Sequence, residues 1–419
     1  MAALSPRTDT LWLAGLCAAR TGASMMFMAY PAVLPMIQQE WELSGTAAGS
    51  ISSASRFGTA VSLAVLSALA DRVGARTVFL WSACFSAVVA LLLPILAQGY
   101  LSALVLFGSL AVCLAGTYTP GLILLADRFP TARRGWAIGW FIASGSSGYA
   151  LALVGAGFVV RVAGWRMALF TLALGPLICA ILSFAIMRGP AQRLPAAPPA
   201  SWRLRDDLIR NRPAQLMIAG YTFHSWELLG MWAWTPAFLA AVLGARGLEL
   251  SRATGLGANL TAAFHVMGIV ATSVGGWLSD RWGRTAVIIG MMTVSTACSL
   301  TFGWLLDAPL ALVVVVGLIY GFSAIGDSPV YSTGITEVVE PSRLGTVFAV
   351  RSLVGFGAGG VAPLIFGAVL DLTAGGGPPT GGIWGWAFAV LGVGGFLGIC
   401  SMLWLRALPE SRRLAGGKR

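Results

Sequence analysis

The sequence is almost without lysine: among 419 residues there is one, Lys418, at the C-terminal end. A Walker A loop needs a lysine to reach the phosphates of a nucleotide, so the chain carries no ATPase of that kind. No lysine stands inside an apolar run, which excludes a retinal Schiff base. Histidine is nearly as scarce; His224 and His265 cannot build a metal site alone. The cysteines (Cys17, Cys84, Cys113, Cys179, Cys298, Cys400) stand singly in apolar stretches. They read as small buried hydrophobes, not as a disulfide or zinc framework. No cofactor, metal or enzymatic activity is expected. Charge as a whole is thin, 10% of residues, where a soluble protein carries about 25%.

What fills the space is apolar. The chain is 57% hydrophobic with a mean hydropathy of +0.81, which makes it an all-α integral membrane protein. Runs long enough to span a bilayer fall at 11–36, 46–70, 77–97, 101–126, 135–160 and 166–187. A second six fall at 214–243, 253–279, 285–306, 309–336, 344–370 and 383–405. We refer to these as spans 1 to 12. The expected division is an N-terminal six-helix bundle at 1–187, a linker at 188–213 and a C-terminal bundle with tail at 214–419. The linker is rich in Pro, Ala and Arg, and its WRLRDDLIR segment reads as a short surface helix. The start of the chain has no secretory cleavage pattern, and span 1 is too long for a signal h-region.

The net charge of +11 does not indicate nucleic acid, because of where it sits. Arg161, Arg166, Arg246 and Arg252 fall in one alternate set of loops, and Arg20, Arg56 and Arg351 lie inside spans. All other Lys and Arg fall in the opposite set of loops and the tails. The positive-inside rule then places both termini in the cytoplasm, with the chain in the cytoplasmic (inner) membrane.

The halves repeat. Arg56 lies fifteen residues before Asp71, and His265 fifteen before Asp280; each stretch closes on Asp-Arg-x-Gly and a further Arg. Fifteen helical residues rise about 22 Å, which puts Arg56 and His265 near mid-depth. Tyr30-Pro31-Ala32 in span 1 answers Thr235-Pro236-Ala237 in span 7. Asp127 closing span 4 answers Glu337 closing span 10, and Arg134-Gly135 answers Arg343-Leu344-Gly345. A parallel repeat of six-helix halves, with a site between them, is transporter architecture. Gly-rich SGSSGYALALVGAG in span 5 and GFGAGG in span 11 allow close helix approach.

These features resemble the major facilitator superfamily along essentially the whole chain. Its diagnostic loop, Gly-x3-Asp-Arg-x-Gly-x-Arg, is met at Asp71, Arg72, Gly74 and Arg76, with Ser67 in place of the leading Gly. The second copy has Gly276, Asp280, Arg281, Gly283 and Arg284. The resemblance implies alternating access, two bundles rocking about a central cavity lined by spans 1, 2, 4, 5, 7, 8, 10 and 11. It also implies a gate clasp. Arg76, Arg133 and Arg134 are expected to reach Asp127, and Arg284 and Arg343 to reach Glu337, with Asp71, Arg72, Asp280 and Arg281 at the loop ends. Plain topological charge is the alternative role.

Ionisable groups inside the membrane are expensive and therefore candidates for function. Here they are Arg20, Arg56, His224, Glu227, His265, Asp327 and Arg351, all on the lining spans. Three Arg against two carboxylates leave an excess cation for an anionic substrate to meet. The expected substrate-binding set is Arg20, Arg56, His265, Arg351, Tyr118 and Tyr331. Pairing of Arg20 with Glu227 and of Arg351 with Asp327 is the structural alternative. His224, Glu227 and Asp327 are the candidates for a proton site, with Glu227 favoured and Arg20 as its expected partner. Trp226, Trp232 and Trp234 crowd span 7 as either a cavity wall or an interfacial belt.

The leading reading is a monomeric secondary transporter of a small anion, coupled to protons as symport, closest to the cyanate, nitrate and organic-anion branches. The Asn-containing Gly-rich signature of the nitrate branch is absent, which favours a small carboxylate. The alternative is a proton-coupled exporter of drugs or other hydrophobic compounds, although the Gly-Pro-x2-Gly-Gly antiporter motif is missing from span 5. A non-transporting receptor of the same fold is a third possibility.

Overall fold

The computed structural model describes residues 6–188, 210–340, 343–375 and 380–418. The WRLRDDLIR segment, apart from its last residue, lies outside them. The described residues form helices and no strand. In chain order the α-helices are α1 (Pro6–Met25), α2 (Ala29–Glu40), α3 (Gly45–Val73), α4 (Ala75–Leu96), α5 (Tyr100–Ala115), α6 (Thr119–Arg128) and α7 (Thr131–Ile186). The second half holds α8 (Arg212–Gly244), α9 (Leu250–Trp282), α10 (Arg284–Phe302), α11 (Leu310–Gly326), α12 (Ser328–Val338), α13 (Leu344–Ala374) and α14 (Gly381–Ala407).

Fourteen helices make twelve spans because the correspondence is not one to one. Spans 1, 4 and 10 are each split, into α1 and α2, α5 and α6, and α11 and α12. Each second piece has a proline in its first turn: Pro31, Pro120 and Pro329. Proline has no N–H to give the carbonyl four residues back, so the helix stops and restarts there. Spans 5 and 6 run the other way and are joined in α7, which kinks at Gly164 (φ 77°). The Asp-Arg-x-Gly repeat becomes the same turn twice. Gly74 (φ 92°, ψ 137°) parts α3 from α4, and Gly283 (φ 97°, ψ 153°) parts α9 from α10. A positive φ at both positions explains the glycine of each copy.

The chain ends, with the Asp71 and Asp280 turns, mark one face, and the turns at 41–44 and 245–249 mark the other. Toward this opposite face the halves touch. Asp371 of α13 accepts hydrogen bonds from Gly45 N (2.6 Å), Thr46 N (2.8 Å) and Thr46 Oγ1 (2.6 Å). It thereby caps the start of α3 from the other half, a carboxylate at a helix N-terminus. Gly49 lies on the backbone of Pro363, and Gly157 on that of Gly255. Toward the face bearing the termini, side-chain-sized space stands open beside Gly139, Gly276 and Gly345, with no atom within 4 Å of where a Cβ would be. The backbone contacts between the halves described above lie toward the face away from the termini.

Candidate substrate cavity

Where the halves meet, the equivalent residues Arg56 and His265 approach one group of rings. Arg56, 3% exposed, lays its guanidinium 3.6 Å above the Phe27 ring. Phe27 sits in the break between α1 and α2, where the backbone turns instead of continuing the helix. Its ring stacks on Tyr149 of α7 (4.8 Å, 26°) and meets Trp232 of α8 edge-on (6.0 Å). Tyr149 lies 5.6 Å from Trp232 and 6.0 Å from His265, and Trp232 lies 5.0 Å from His265. Three polar atoms in this group are buried without a hydrogen-bond partner: Arg56 Nε, His265 Nε2 and Trp232 Nε1. Trp232 is thus the cavity-wall member of its trio. Trp234 is 1% exposed and donates to Pro363 O, while Trp226 donates to Val390 O.

Small clefts flank this group and repeat the pseudo-symmetry. One beside Arg56 is lined by Met26, Phe27, Tyr30 and Ser52 among others. The other, beside His265, is lined by Met231, Trp232, Thr235 and Thr261. Those four residues are the repeat equivalents of the first four.

The other two cations also rest on rings. Arg20 stands 4.8 Å over Tyr118 and 5.6 Å from Phe141. Arg351 stands 4.1 Å over Tyr221, and its Nη1 donates to Ser332 Oγ at 2.7 Å. Neither has a carboxylate within ion-pair distance among the described residues. The pairings considered from sequence, Arg20 with Glu227 and Arg351 with Asp327, are therefore corrected. Asp327 (1% exposed) instead meets His224 (3% exposed), Oδ1 to Nδ1 at 2.9 Å. Glu227 is 2% exposed and faces α10, taking Ser295 Oγ at 3.1 Å and Ser299 Oγ at 2.7 Å. Ser299 Oγ is in turn hydrogen-bonded to Tyr320 OH. Hydroxyls, not a cation, satisfy this carboxylate. Tyr331, expected at the substrate, is fully buried and gives its OH to Met292 S at 3.0 Å. It packs against His224 and Tyr221, a layer behind the cavity.

The charged turns differ between halves. In the C-terminal half Arg284 bridges Asp280 (2.5 Å) and Glu337 (2.8 Å). The tail adds Ala415 N to Glu337 Oε2 (2.9 Å) and Lys418 Nζ to Asp280 O (2.7 Å). Arg343 pairs with Glu340 at 3.3 Å, and Arg281 is exposed. In the N-terminal half Asp71, Arg72, Asp127 and Arg133 are exposed, and Arg134 is half-buried with its Nε unpartnered. Arg128 closes this end, bonding Asp9 at 2.9 Å and lying 4.6 Å over Trp12. That fastening of α6 to α1 was missed from sequence because Asp9 lies in the tail, with no counterpart in the repeat.

Twelve apolar spans in two repeated halves, with buried charged side chains where the halves meet, define a multi-pass membrane transporter. The chain belongs to the Major Facilitator Superfamily, whose sequence model matches residues 16–363 and 248–419. It is 26% identical over 396 residues to the cis,cis-muconate transport protein of Acinetobacter baylyi, covering 91% of this chain and 89% of that one. It is 26% identical to the gallate transporter of Pseudomonas putida, with coverage of 82% and 81%. The hexuronate transporter of Bacillus subtilis is 24% identical, with coverage of 81% and 82%. The fold matches a bacterial homologue of the human lysosomal transporter Spinster in an inward-facing, occupied conformation. That match has a TM-score of 0.79 at 15% identity, over 97% of this chain and 99% of the other. As a member of a transporter family, the chain is a carrier and not an enzyme.

Proposed function

We propose that this chain is a secondary active transporter of small organic carboxylates, working by alternating access as a proton symporter. One observation carries the reading: Arg20, Arg56 and Arg351, inside the membrane spans, rest on aromatic rings, and none has a carboxylate within ion-pair distance among the described residues. Arginine stays charged, and a cation–π contact offsets only about 0.5–2 kcal/mol of its desolvation. A carboxylate arriving in the cavity offers the missing counter-ion in bidentate form. The relatives named for muconate, gallate and hexuronate are consistent with such a substrate. An exporter of hydrophobic compounds has no use for three unpaired cations, so that reading stands second.

The Arg-rich face is the cytoplasmic one of an inner-membrane protein that functions as a monomer. The charged turns at Asp71, Asp280 and Glu337 act as the gate clasp; in this state Arg284 joins Asp280 to Glu337 within the C-terminal half. Protons bind among His224, Asp327 and Glu227. The His224–Asp327 pair touches Tyr221, the ring beneath Arg351, so its charge state reaches the anion site through one side chain. Glu227 acts without touching substrate.

The test is uptake into proteoliposomes with a panel of carboxylates, nitrate and a lipophilic cation, with and without an imposed pH gradient. Accumulation of a carboxylate, raised by acid outside, is the expected result. Transport of the lipophilic cation alone would establish the exporter, and failure to move any carboxylate would sink the proposal.

A further inference from the structure

Resting on the carboxylate and proton readings, we infer that Ser332 is the positioning residue that couples the His224–Asp327 pair to Arg351. Its hydroxyl ties the guanidinium to the short helix that begins at Asp327.

Helix α12 is 11 residues long and restarts span 10 after the break. Asp327 stands at its N-terminal end, where its backbone O accepts from Val330 N (2.9 Å) and Tyr331 N (3.1 Å). The Asp327 side chain meets His224 of α8 at 2.9 Å. Ser332 follows five residues later, about 140° around the helix and about 7 Å along it. Asp327 thus faces α8, while Ser332 faces α13, where Arg351 Nη1 donates to Ser332 Oγ at 2.7 Å. The Ser332 hydroxyl directs its own proton to Ser328 O, a longer contact of 3.4 Å, and Ser328 is the residue bonded to Asp327. A polar chain therefore runs from the buried pair, through the first turn of α12, to the guanidinium. Arg351 is otherwise held loosely. Its Nε is buried without a hydrogen-bond partner, and its flat face rests on the rings of Tyr221 (4.1 Å) and Phe348 (4.9 Å). A ring face lets a guanidinium slide, whereas a hydrogen bond fixes where its fork points.

Electrostatics gives the coupling its sign. With Asp327 ionised and His224 neutral, the pair is negative and competes with an incoming carboxylate for the charge of Arg351. A proton on the pair cancels that charge and leaves the guanidinium to the substrate. The titratable groups around the pair are Tyr221 and Glu227 of α8 and Tyr331 of α12, with Arg351 of α13 beyond the Tyr221 ring. Tyr320 of α11 stands one hydroxyl beyond Glu227.

The experiment is equilibrium binding of benzoate and of succinate to the purified full-length chain, in acid and in alkaline buffer. Wild-type affinity should be on the order of tenfold higher in acid. Ser332→Val should bring that ratio close to one. Ser332→Thr, nearly the same shape but with the hydroxyl kept, should restore it. Because coupling is reciprocal, the link is also visible without any carboxylate. The chain has two histidines, so nitrogen NMR on histidine-labelled protein resolves His224, assigned by the signal lost in His224→Leu. Its titration midpoint should move in Ser332→Val and stay in Ser332→Thr. Ser332→Ala, compared with wild type, serves should either bulkier variant fail to fold. A wild-type ratio in Ser332→Val, or a Ser332→Thr that behaves like Ser332→Val, would overturn the inference and leave the Tyr221 ring as the link. If neither acid binds the wild type, the carboxylate reading is what suffers, and the NMR arm decides alone. A His224 midpoint unmoved by Ser332→Val would then end the coupling assigned to Ser332.

Discussion

Arg56 holds the position where a single side chain decides most. It is buried, its charge is permanent, and its neighbours offer a ring face but no carboxylate. Removing it should cost the anion a charge-assisted contact of about 1.5–3 kcal/mol, a factor of roughly ten to a hundred in affinity. Arg56→Ala should therefore abolish uptake at low substrate while the protein still folds. Arg56→Lys should recover little, because an ammonium cannot offer the fork or stack flat on Phe27. Equilibrium binding on purified variants checks both; wild-type affinity in either would move the anion site elsewhere. The His224–Asp327 pair makes a different demand. Losing one partner leaves the other buried and uncompensated, at a cost of about 3–5 kcal/mol. Asp327→Ala should lower the melting temperature in detergent more than the double variant His224→Leu/Asp327→Leu. The double variant should keep counterflow at equal pH and lose accumulation driven by a pH gradient.

At the scale of elements, the breaks in spans 1, 4 and 10 matter more than the continuous helices. They place Phe27, Tyr118 and Asp327 at turns in the middle of the bilayer, where backbone irregularity is tolerated only in protein or beside a cavity. Pro329→Ala would return an N–H to the carbonyl of Ile325 and let α11 run on into α12. The expected result is a protein at least as stable, with Asp327 turned away from His224 and transport sharply reduced. Transport at the wild-type rate, with thermal unfolding measured in parallel, would show that the break is incidental.

The spans and their order were legible because apolar runs of this length have few other destinations. The Asp-Arg-x-Gly turns were legible because only glycine suits their φ. The partners of the buried charges were not. His224 and Glu227 are three residues apart, about 60° around the helix, enough for one to face Asp327 and the other α10. Ser295 and Ser299 carried no signal as partners of Glu227, since hydroxyl-bearing residues are common in any apolar run. Tyr149 gave no sign within its glycine-rich stretch, although it stacks on the ring that carries Arg56. Nothing local marked Asp371 either: its partners, the backbone N–H groups of Gly45 and Thr46 and the Thr46 hydroxyl, lie 325 and 326 residues away.

At the scale of the whole molecule, Asp371 and the glycines near it set which face is open. Its carboxylate ties α13 to the first turn of α3, and the backbones at Gly49 and Pro363 are in contact just below. These contacts exist only while the face away from the termini is closed, so they are a differential between the two states of an alternating carrier. Asp371→Asn keeps the shape but loses the charge that favours a helix N-terminus, worth about 0.3–2 kcal/mol. Gly49→Val acts by bulk, since even a Cβ there would meet the Pro363 carbonyl, a backbone group that cannot rotate aside. Both should shift the population toward the state open at the Asp371 face, Gly49→Val more completely. The shift is measurable with spin labels at Glu42 and Asp307, exposed positions on that face in opposite halves, in a background lacking the natural cysteines. In the parent protein the short-distance population should dominate; in the variants a longer one should grow at its expense. For Gly49→Val, uptake should fall while binding from the Asp371 side persists, because a carrier held in one state still presents its site. An unchanged distance distribution in both variants would mean that the closed face is held elsewhere, and the latch assigned to Asp371 would have to be given up.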